Sequence, residues 1–432
     1  MNRAEVTRSR PAMDRRRFLR IALASGAGLL AARLIGPDWL DPAVAATASD
    51  ATRYGPLGAI PDEHGLLLPE GFRSRLIGIG GDPVAGTSYP WVPFPDGAAT
   101  YATDQGGWIY VANAEVGYPG KGGAGAVRFD PSGRIVDAYP ILEGTTMNCS
   151  GGSTPWGTWL SGEEMDKGLV WECDPSGRRA AEPRPAMGSF PHECAVADPA
   201  RRVLYLSEDH PEGLLYRFRP TTWGDLGEGT LEAASVDGVG NVSWVRAQDP
   251  AATSVPTRKS APGATVFSGA EGLAISGDSL YLTTKYNNHI YRFDLAASKV
   301  APVYRGDGVL TGVDNLTVHS HTGDLYVCED GGDMQVVVIT PDGTVAPFAQ
   351  FVGHQDSEVT GIAFDPAGKR LYFSSQRAPS SKKLGDLHAG LVDARGLGRT
   401  FEVTGPFVAP APPVTTTTQP KRPRRRKKAR TS

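Results

Sequence analysis

Short runs of alternating apolar and polar residues return along most of the chain. Each run is rich in β-branched, leucine and aromatic residues and ends in polar or acidic residues. A period of two is the pattern of a strand with one buried face. The pattern therefore predicts a set of equivalent strands. They are Trp108–Glu115, Thr158–Glu164, Val203–Asp209, Ser279–Lys285, Asp324–Asp330 and Arg370–Gln376.

Most of these runs have a second short strand before them and a third after them, separated by Asp-Pro-x-Gly turns such as 130–133 and 365–368. A unit of roughly 40 to 60 residues built from consecutive antiparallel strands and repeated about six times is typical of a β-propeller. A β-sandwich also contains short strands, but it gives no reason for one acidic motif to recur in each repeat. We therefore predict an all-β fold, a β-propeller with six blades, with five and seven as the alternatives.

Acidic residues recur at matching places in these repeats. In a propeller the innermost strand of each blade starts at one mouth of the central channel, so residues repeated there form a ring. Converging carboxylates raise each other's pKa and destabilise the fold unless cations neutralise them. The sequence therefore predicts a metal site in the central channel. The residues are Glu193, Glu271, Asp314 and Glu358 at the start of one strand, and Glu164, Glu208 and Glu329 at the end of the next.

The charge distribution agrees with a body that binds cations. Residues 1–45 and 406–432 each contain eight Lys and Arg, so the net charge of −3 conceals an acidic body with a charge near −15. Such a body suits calcium, and it would repel an anionic substrate unless bound metal reversed the local charge. Four cysteines are too few to build a disulfide scaffold. For Cys173 and Cys194, a bridge and two free buried thiols are the alternatives.

The two ends of the chain have the composition of an export signal and a tail. Arg15–Arg17, Phe18 and Leu19 precede an apolar run and a small-residue site, as in a twin-arginine signal peptide over residues 1–45. A retained membrane anchor is the alternative, but the apolar run is shorter than the ~20 residues that a span needs. We expect a propeller over 46–405 and a disordered Pro/Thr-rich basic tail over 406–432.

The basic tail has two interpretations, adhesion to an anionic polymer or lipid and a solvated tail that aids solubility. A basic tail without a basic folded surface supplies only nonspecific attraction, so specific nucleic-acid binding is not expected.

Several segments resemble the PhoX-type alkaline phosphatases, a family exported by the twin-arginine route. The main ones are 148–164, reading NCSGGSTPWGTWLSGEE, and 191–209, reading PHECAVADPARRVLYLSED. Shorter ones are AEGLAI from 270, VDNLTV from 313, CEDGGD over 328–333 and EVTG over 358–361. The resemblance spans nearly all of the predicted propeller.

The resemblance implies a six-bladed propeller whose channel holds calcium and iron, Ca²⁺ and Fe³⁺, with a cysteine thiolate and several carboxylates as ligands. Taken alone, a lone cysteine beside glycines is more often a buried small residue than a ligand, so the thiolate role rests on the resemblance. By motif, the implied ligands are Cys149, Glu164, Glu193, Glu271 and Glu329, with Glu115, Asp314 and Glu358 as further candidates.

The chain departs from the family pattern in two places. The family often has an arginine, suited to phosphate, two residues before the Glu271 position, where this chain has Gly269. Ala114 stands where the family pattern has a histidine. As replacement phosphate contacts we consider Lys285, Asn315, Arg217 and Arg292, and as general acid we consider His192, which could instead orient a metal ligand.

We therefore predict an exported, monomeric, metal-dependent phosphatase acting on phosphate monoesters of small molecules in the periplasm, at the cell wall or outside the cell. Its partners would be this substrate and the twin-arginine export machinery, with no membrane anchor after cleavage. The alternatives are a calcium propeller hydrolase of the lactonase type and a noncatalytic propeller that binds envelope ligands.

Overall fold

The computed structural model describes residues 47–49, 52–306 and 308–407. The predicted signal peptide over 1–45 and the predicted tail beyond 407 lie outside the described residues. Phe407, which the sequence assigns to that tail, is 1% exposed and packs against Phe72 and Phe348. The packed body therefore extends at least to Phe407, beyond the predicted boundary at 405. In the part of the chain that is described, no helix is both long enough and apolar enough to cross a membrane.

The described strands form six sheets that follow one another along the chain. Three short strands come first: β1 (Thr47–Ala48), β2 (Leu66–Leu67) and β3 (Arg73–Ile79). Blade 1 contains β4 (Pro95–Ala102), β5 (Trp108–Ala114), β6 (Gly122–Phe129) and β7 (Ile135–Thr145). Blade 2 contains β8 (Asn148–Ser153), β9 (Trp159–Glu163), β10 (Val170–Cys173) and β11 (Glu182–Pro183).

Blade 3 has five strands, β12 (His192–Asp198), β13 (Val203–Glu208), β14 (Leu215–Thr222), β15 (Asp225–Val236) and β16 (Val242–Arg246). Blade 4 contains β17 (Ala270–Ser276), β18 (Ser279–Thr284), β19 (His289–Asp294) and β20 (Lys299–Arg305). Blade 5 contains β21 (Val313–Val318), β22 (Leu325–Glu329), β23 (Gln335–Ile339) and β24 (Thr344–Phe351). Blade 6 contains β25 (Val359–Phe364), β26 (Arg370–Ser375) and β27 (Arg399–Thr404).

The prediction of an all-β, six-bladed propeller is confirmed. The first predicted strand, Trp108–Glu115, corresponds to β5, the second strand of blade 1. Within each blade the strands pair antiparallel in chain order. Helical segments among the described residues are short. They are the helix Leu384–Leu387 and the 3₁₀ turns Pro185–Met187 and Thr257–Ser260.

Blade 6 is completed by a strand from the beginning of the chain. β3 pairs antiparallel with β27, with Arg73 opposite Thr404 and Ile79 opposite Arg399. β1 and β2 both pair with β24 at the outer edge of blade 5. β3 therefore closes the circle of blades as the fourth strand of blade 6, where it covers β27 and itself forms the outer edge of the sheet.

The apolar core lies between neighbouring blades. Tyr110 of blade 1 and Tyr372 of blade 6 are fully buried, with ring centroids 4.8 Å apart. Between blades 1 and 2, the indole of Trp159 donates a hydrogen bond to the side-chain oxygen of Asn113. Burial of each such large side chain contributes about 1.5–3 kcal/mol. The four cysteines are buried free thiols, so the bridge considered for Cys173 and Cys194 is not formed.

Candidate metal and phosphate site

Each innermost strand contains a β-bulge beside its first ladder pairs, which directs side chains toward the channel. In blade 1 the register shifts between Pro95 and Ala98, and the same kind of shift occurs in the other five blades. A bulge leaves residues outside the ladder and re-aims their side chains. In blades 1 to 5 the first bulged residue carries a carboxylate or a thiol. These residues are Asp96, Cys149, Glu193, Glu271 and Asp314.

The second strand of each of these blades supplies another charged side chain just beyond its last paired residue. In blade 5, for example, Glu329 is the last paired residue and Asp330 follows it. The equivalent residues of blades 1 to 5 are Glu115, Glu164, Asp209, Lys285 and Asp330.

Ligand atoms from these positions come together in four groups of three, within 4.8 Å of one another in each group. Consecutive groups share Cys149, Glu193 and Asp314, so they form one continuous set that we call the acidic ring. The groups are Asp96–Glu115–Cys149, Cys149–Glu164–Glu193, Glu193–Glu271–Asp314 and Asp314–Asp330–Glu358. The structure thus brings together seven of the eight metal ligands predicted from the sequence.

Lys285 reaches into the acidic ring from blade 4. Its ammonium nitrogen lies 2.9 Å from Glu271 Oε1, 3.1 Å from Asp314 Oδ2 and 3.2 Å from Asp330 Oδ2. The side chain is 10% exposed. The ammonium is therefore surrounded by carboxylates from blades 4 and 5.

Two residues that directly follow β26 reach the ring from blade 6. The Arg377 guanidinium pairs with Glu358 Oε1 and lies 3.5 Å from Glu115 Oε2. The Gln376 amide donates to Glu115 Oε2 at 2.6 Å and also to Asp96. Blade 6 thus contributes hydrogen-bond donors as well as the carboxylate of Glu358.

Burial is the largest cause of the raised pKa values in the ring. It raises the pKa of Glu193 and of Glu271 well above the ordinary value, and repulsion from neighbouring carboxylates adds to the effect. The same causes raise the pKa of Glu358 to about 8, while Arg377 acts in the opposite direction. Without cations, these carboxyl groups therefore keep their protons to a higher pH than an exposed carboxyl group does.

The donor set fits metal ions. Both carboxylate oxygens of Glu193 are buried without a hydrogen bond of normal geometry among the described residues, and so is Asp96 Oδ1. A buried carboxylate without such partners is costly unless a cation binds it. Oxygen ligands suit calcium, and the thiol of Cys149, 3.4 Å from Asp96 Oδ2, adds one softer ligand suited to iron.

Glu329, a ligand predicted from the sequence, lies outside these groups. Its carboxylate accepts hydrogen bonds from the backbone nitrogens of Thr311 at 2.7 Å and Gln335 at 3.0 Å. It therefore holds together the loops beside the ring, while its neighbour Asp330 supplies the oxygen that faces the axis.

His192, the predicted general acid, is packed away from solvent. Its Nε2 lies 3.1 Å from the Gly188 carbonyl oxygen, and its ring centroid is 3.7 Å from that of Phe190. Burial lowers the pKa of His192 to about 3. The imidazole is neutral at the alkaline pH expected for the reaction, so this geometry gives no support to a proton-donating role.

Asn315 and Lys285, the other two predicted catalytic residues, contact the ring directly. The Asn315 amide donates to Asp314 Oδ1 at 2.9 Å and accepts a hydrogen bond from Gly361 N at 3.0 Å. Its position in the inner strand makes it one of the residues that line a channel cavity of about 420 Å³. Asn315 is therefore placed to orient Asp314.

Position 269, where the sequence lacks the family arginine, is covered by an aromatic ring. Gly269 has a φ of +63°, and a Cβ there would lie 2.9 Å from the Tyr286 ring. Arg217 is engaged elsewhere, by Glu232 at 2.7 Å and by the ring of Trp244. Arg292 donates to the hydroxyl of Ser279 instead.

Sequence reasoning missed Asp96, Asp209, Asp330 and Arg377. Asp209 and Asp330 each follow a glutamate that was considered in their place. Adjacent side chains of a strand point to opposite faces, so only one residue of each pair can face the axis. The pairing of the strands is needed to tell which one. Asp96 and Arg377 had no repeated motif to mark them.

Comparison with known proteins finds similarity over most of the propeller. A family model described as alkaline phosphatase PhoX matches residues 124–168, 165–299 and 294–379, more than half of the chain. The structure of Pseudomonas fluorescens PhoX in complex with vanadate, a transition state analogue, is 17% identical, with a TM-score of 0.65 over 82% of this chain and 98% of that chain. The structure of a putative 6-phosphogluconolactonase from Bacteroides uniformis is 15% identical, with a TM-score of 0.44, and the match covers 70% of this chain and 89% of that chain. No curated protein sequence matches the chain.

Proposed function

Because the chain belongs to the alkaline phosphatase PhoX family, a family of phosphomonoesterases, we propose that it hydrolyses phosphate monoesters of small molecules at the acidic ring, with bound metal ions. The observation that carries the proposal is the continuous set of ligand groups from all six blades at one end of the channel. The Pseudomonas fluorescens relative binds vanadate, which supports a phosphoryl group as the ligand of this site.

Ca²⁺ and Fe³⁺ are the ions that we propose for the ring. Glu193, Glu271 and Asp314 would hold calcium through carboxylate oxygens, and Cys149 would give iron a thiolate. Bound there, the ions would neutralise the carboxylates, polarise the phosphoryl oxygens and lower the pKa of water.

The chain's own residues would position the substrate and the ring. The planar fork of Arg377 can donate two parallel hydrogen bonds to phosphoryl oxygens, and it already lies between Glu115 and Glu358. Gln376 would hold Glu115 and Asp96 in place through the bonds that its amide donates. Asn315 would do the same for Asp314.

We also propose that the protein acts outside the cytoplasm after export by the twin-arginine route. The arginines at 15–17 and the apolar run after them support this location. Export of folded protein would allow the ring to be loaded with metal before the chain crosses the membrane. The proposed mature protein is monomeric, carries no membrane anchor and has no specific nucleic-acid partner.

The activity is tested with purified protein loaded with calcium and iron and assayed on p-nitrophenyl phosphate at alkaline pH. We expect turnover that chelator treatment abolishes and that reloading with metal restores. Turnover no higher in the loaded protein than in the stripped protein would rule out the phosphatase. Tight metal uptake without hydrolysis of any phosphoester would instead identify a noncatalytic propeller.

The Cys149→Ser variant tests the iron ligand. We expect it to lose iron and to lose more activity than the roughly 10- to 100-fold that changes around a metal site cost. Cys328→Ser is the matched control, because Cys328 is a fully buried thiol in the core. A lactonase-type calcium propeller would keep its metal content in both variants.

A further inference from the structure

One of the five equivalent ring positions carries a positive charge. The residue after the last paired residue of the second strand is acidic in blades 1, 2, 3 and 5, whereas blade 4 has Lys285. The strand register establishes the equivalence, since Thr284 pairs with Ala270 as Glu329 pairs with Val313. Lysine thus stands at a place where blades 1, 2, 3 and 5 each have a carboxylate.

The backbone fixes Lys285 in this position. Its amide nitrogen donates to the Gly269 carbonyl oxygen at 2.8 Å, and its carbonyl oxygen accepts from Asn288 N at 3.2 Å. The side chain then extends inward until its nitrogen lies within 3.2 Å of one oxygen each of Glu271, Asp314 and Asp330. Three carboxylate oxygens therefore lie at ion-pair distance from one ammonium.

The carboxylates around Lys285 belong to two neighbouring ligand groups. Glu271 is in the group with Glu193, Asp330 is in the group with Glu358, and Asp314 is in both. The ammonium therefore lies at the junction of these groups and brings a positive charge to it.

We propose that Lys285 is a tethered cation that takes the place of one metal ion in the ring, and that its removal opens a further calcium site formed by Glu271, Asp314 and Asp330. The inference rests on the proposed metal site and concerns how many ions that site holds. An ammonium is a compact point charge on a flexible stem, which suits this replacement better than a planar guanidinium does. Without Lys285, the buried carboxylates of Glu271 and Asp314 and the partly buried carboxylate of Asp330 would lose this counter-charge, and calcium prefers carboxylate oxygens as ligands.

The number of bound calcium ions tests the proposal independently of activity. Wild type, Lys285→Gln and Lys285→Glu are stripped with chelator, dialysed against calcium chloride and measured by elemental analysis. We expect both variants to bind about one more calcium ion per chain than wild type, because the vacated carboxylates retain their oxygen ligands. Lys285→Glu restores the acidic residue of the repeat and should bind the additional ion more tightly than Lys285→Gln.

Two controls make the count specific. Lys285→Arg keeps the charge and should keep the wild-type count. Lys259→Gln removes a half-exposed lysine that pairs with Glu212 away from the ring, and it should also keep the wild-type count. Melting curves with and without calcium follow folding, and the calcium-induced rise in Tm should be larger for Lys285→Gln than for wild type.

Equal calcium counts in wild type, Lys285→Gln and Lys285→Glu would overturn the proposal. A lysine that only contacts phosphate would give this result, with a raised KM and an unchanged metal count. If wild type bound metal and hydrolysed phosphate esters, the proposed function would stand although this inference had failed. If wild type and all variants bound no metal, both would be overturned.

Discussion

At the scale of single residues, a shift of one position decides which carboxylate is a ligand. The sequence motif pointed to Glu329, but the last ladder pair of blade 5 joins Glu329 to Val313 and leaves Asp330 to face the axis. Side chains alternate along a strand, so an error of one residue in the register assigns to the channel a side chain that points toward the neighbouring loops. The residue types at the site were predictable, whereas the register needed the paired strand.

Substitution of these two neighbours separates their roles. We expect Asp330→Asn to weaken calcium binding at least about tenfold, because it removes a charged oxygen from one ligand group. Glu329→Gln should keep the calcium affinity but lower the free energy of unfolding by about 1–2 kcal/mol, since it weakens bonds to Thr311 and Gln335. Calcium titration calorimetry and denaturant unfolding measure the two effects. If Glu329→Gln weakened calcium binding and Asp330→Asn lowered only the stability, Glu329 would be the ligand and Asp330 would not.

At the scale of strands, hydroxyl groups connect the second strand of one blade to the bulge of the next. Ser207 Oγ donates to the Glu271 carbonyl oxygen, and Thr283 Oγ1 donates to that of Asp314 at 2.6 Å. Each bond fixes the backbone of a ring residue. The strands themselves could be predicted from the local alternation of apolar and polar residues. These hydrogen bonds could not be predicted in that way, because they join residues that are far apart in the sequence.

The Thr283→Val variant tests this connection, because valine keeps the shape of threonine and removes the donor. We expect a loss of about 1–3 kcal/mol in the free energy of unfolding, since the buried Asp314 carbonyl oxygen loses a partner. Calcium affinity should fall as well, because Asp314 belongs to two ligand groups. Thr222→Val on the exposed end of β14 is the control and should change neither quantity. An unchanged calcium affinity in Thr283→Val would mean that the bond stabilises the fold without positioning the ring.

At the scale of the whole molecule, the repeat predicted the number of blades but not how the circle closes. Every blade contributes at least one side chain to the acidic ring, from Asp96 in blade 1 to Glu358 in blade 6. The recurring acidic motif therefore located the axis from sequence alone. The closing strand β3 carries no such motif, and its pairing with β27 joins the two ends of the folded chain. Bound cations would connect all six blades at the axis, whereas β3 joins the beginning and the end of the folded chain within blade 6.

This arrangement predicts different pH dependences of stability for the stripped and the calcium-loaded protein. In the folded chain without metal, the pKa of Glu358 is raised from 4.5 to about 8, chiefly by burial, and those of Glu193 and Glu271 are raised as well. A carboxyl group with a raised pKa binds protons more tightly in the folded state, so the stability it confers is lost as the pH rises from about 4.5 towards about 8. The Tm of stripped protein should therefore fall between pH 5.5 and 8.5, by several degrees.

Calcium binds the ionised carboxylates and competes with protons, so it should stabilise the protein more at pH 8.5 than at pH 5.5. Differential scanning calorimetry at both pH values, with chelator and with saturating calcium, measures the four Tm values that are needed. A calcium-induced rise in Tm that is equal at the two pH values would contradict the argument, because it would mean that calcium binds somewhere other than at the protonated carboxyl groups of the ring.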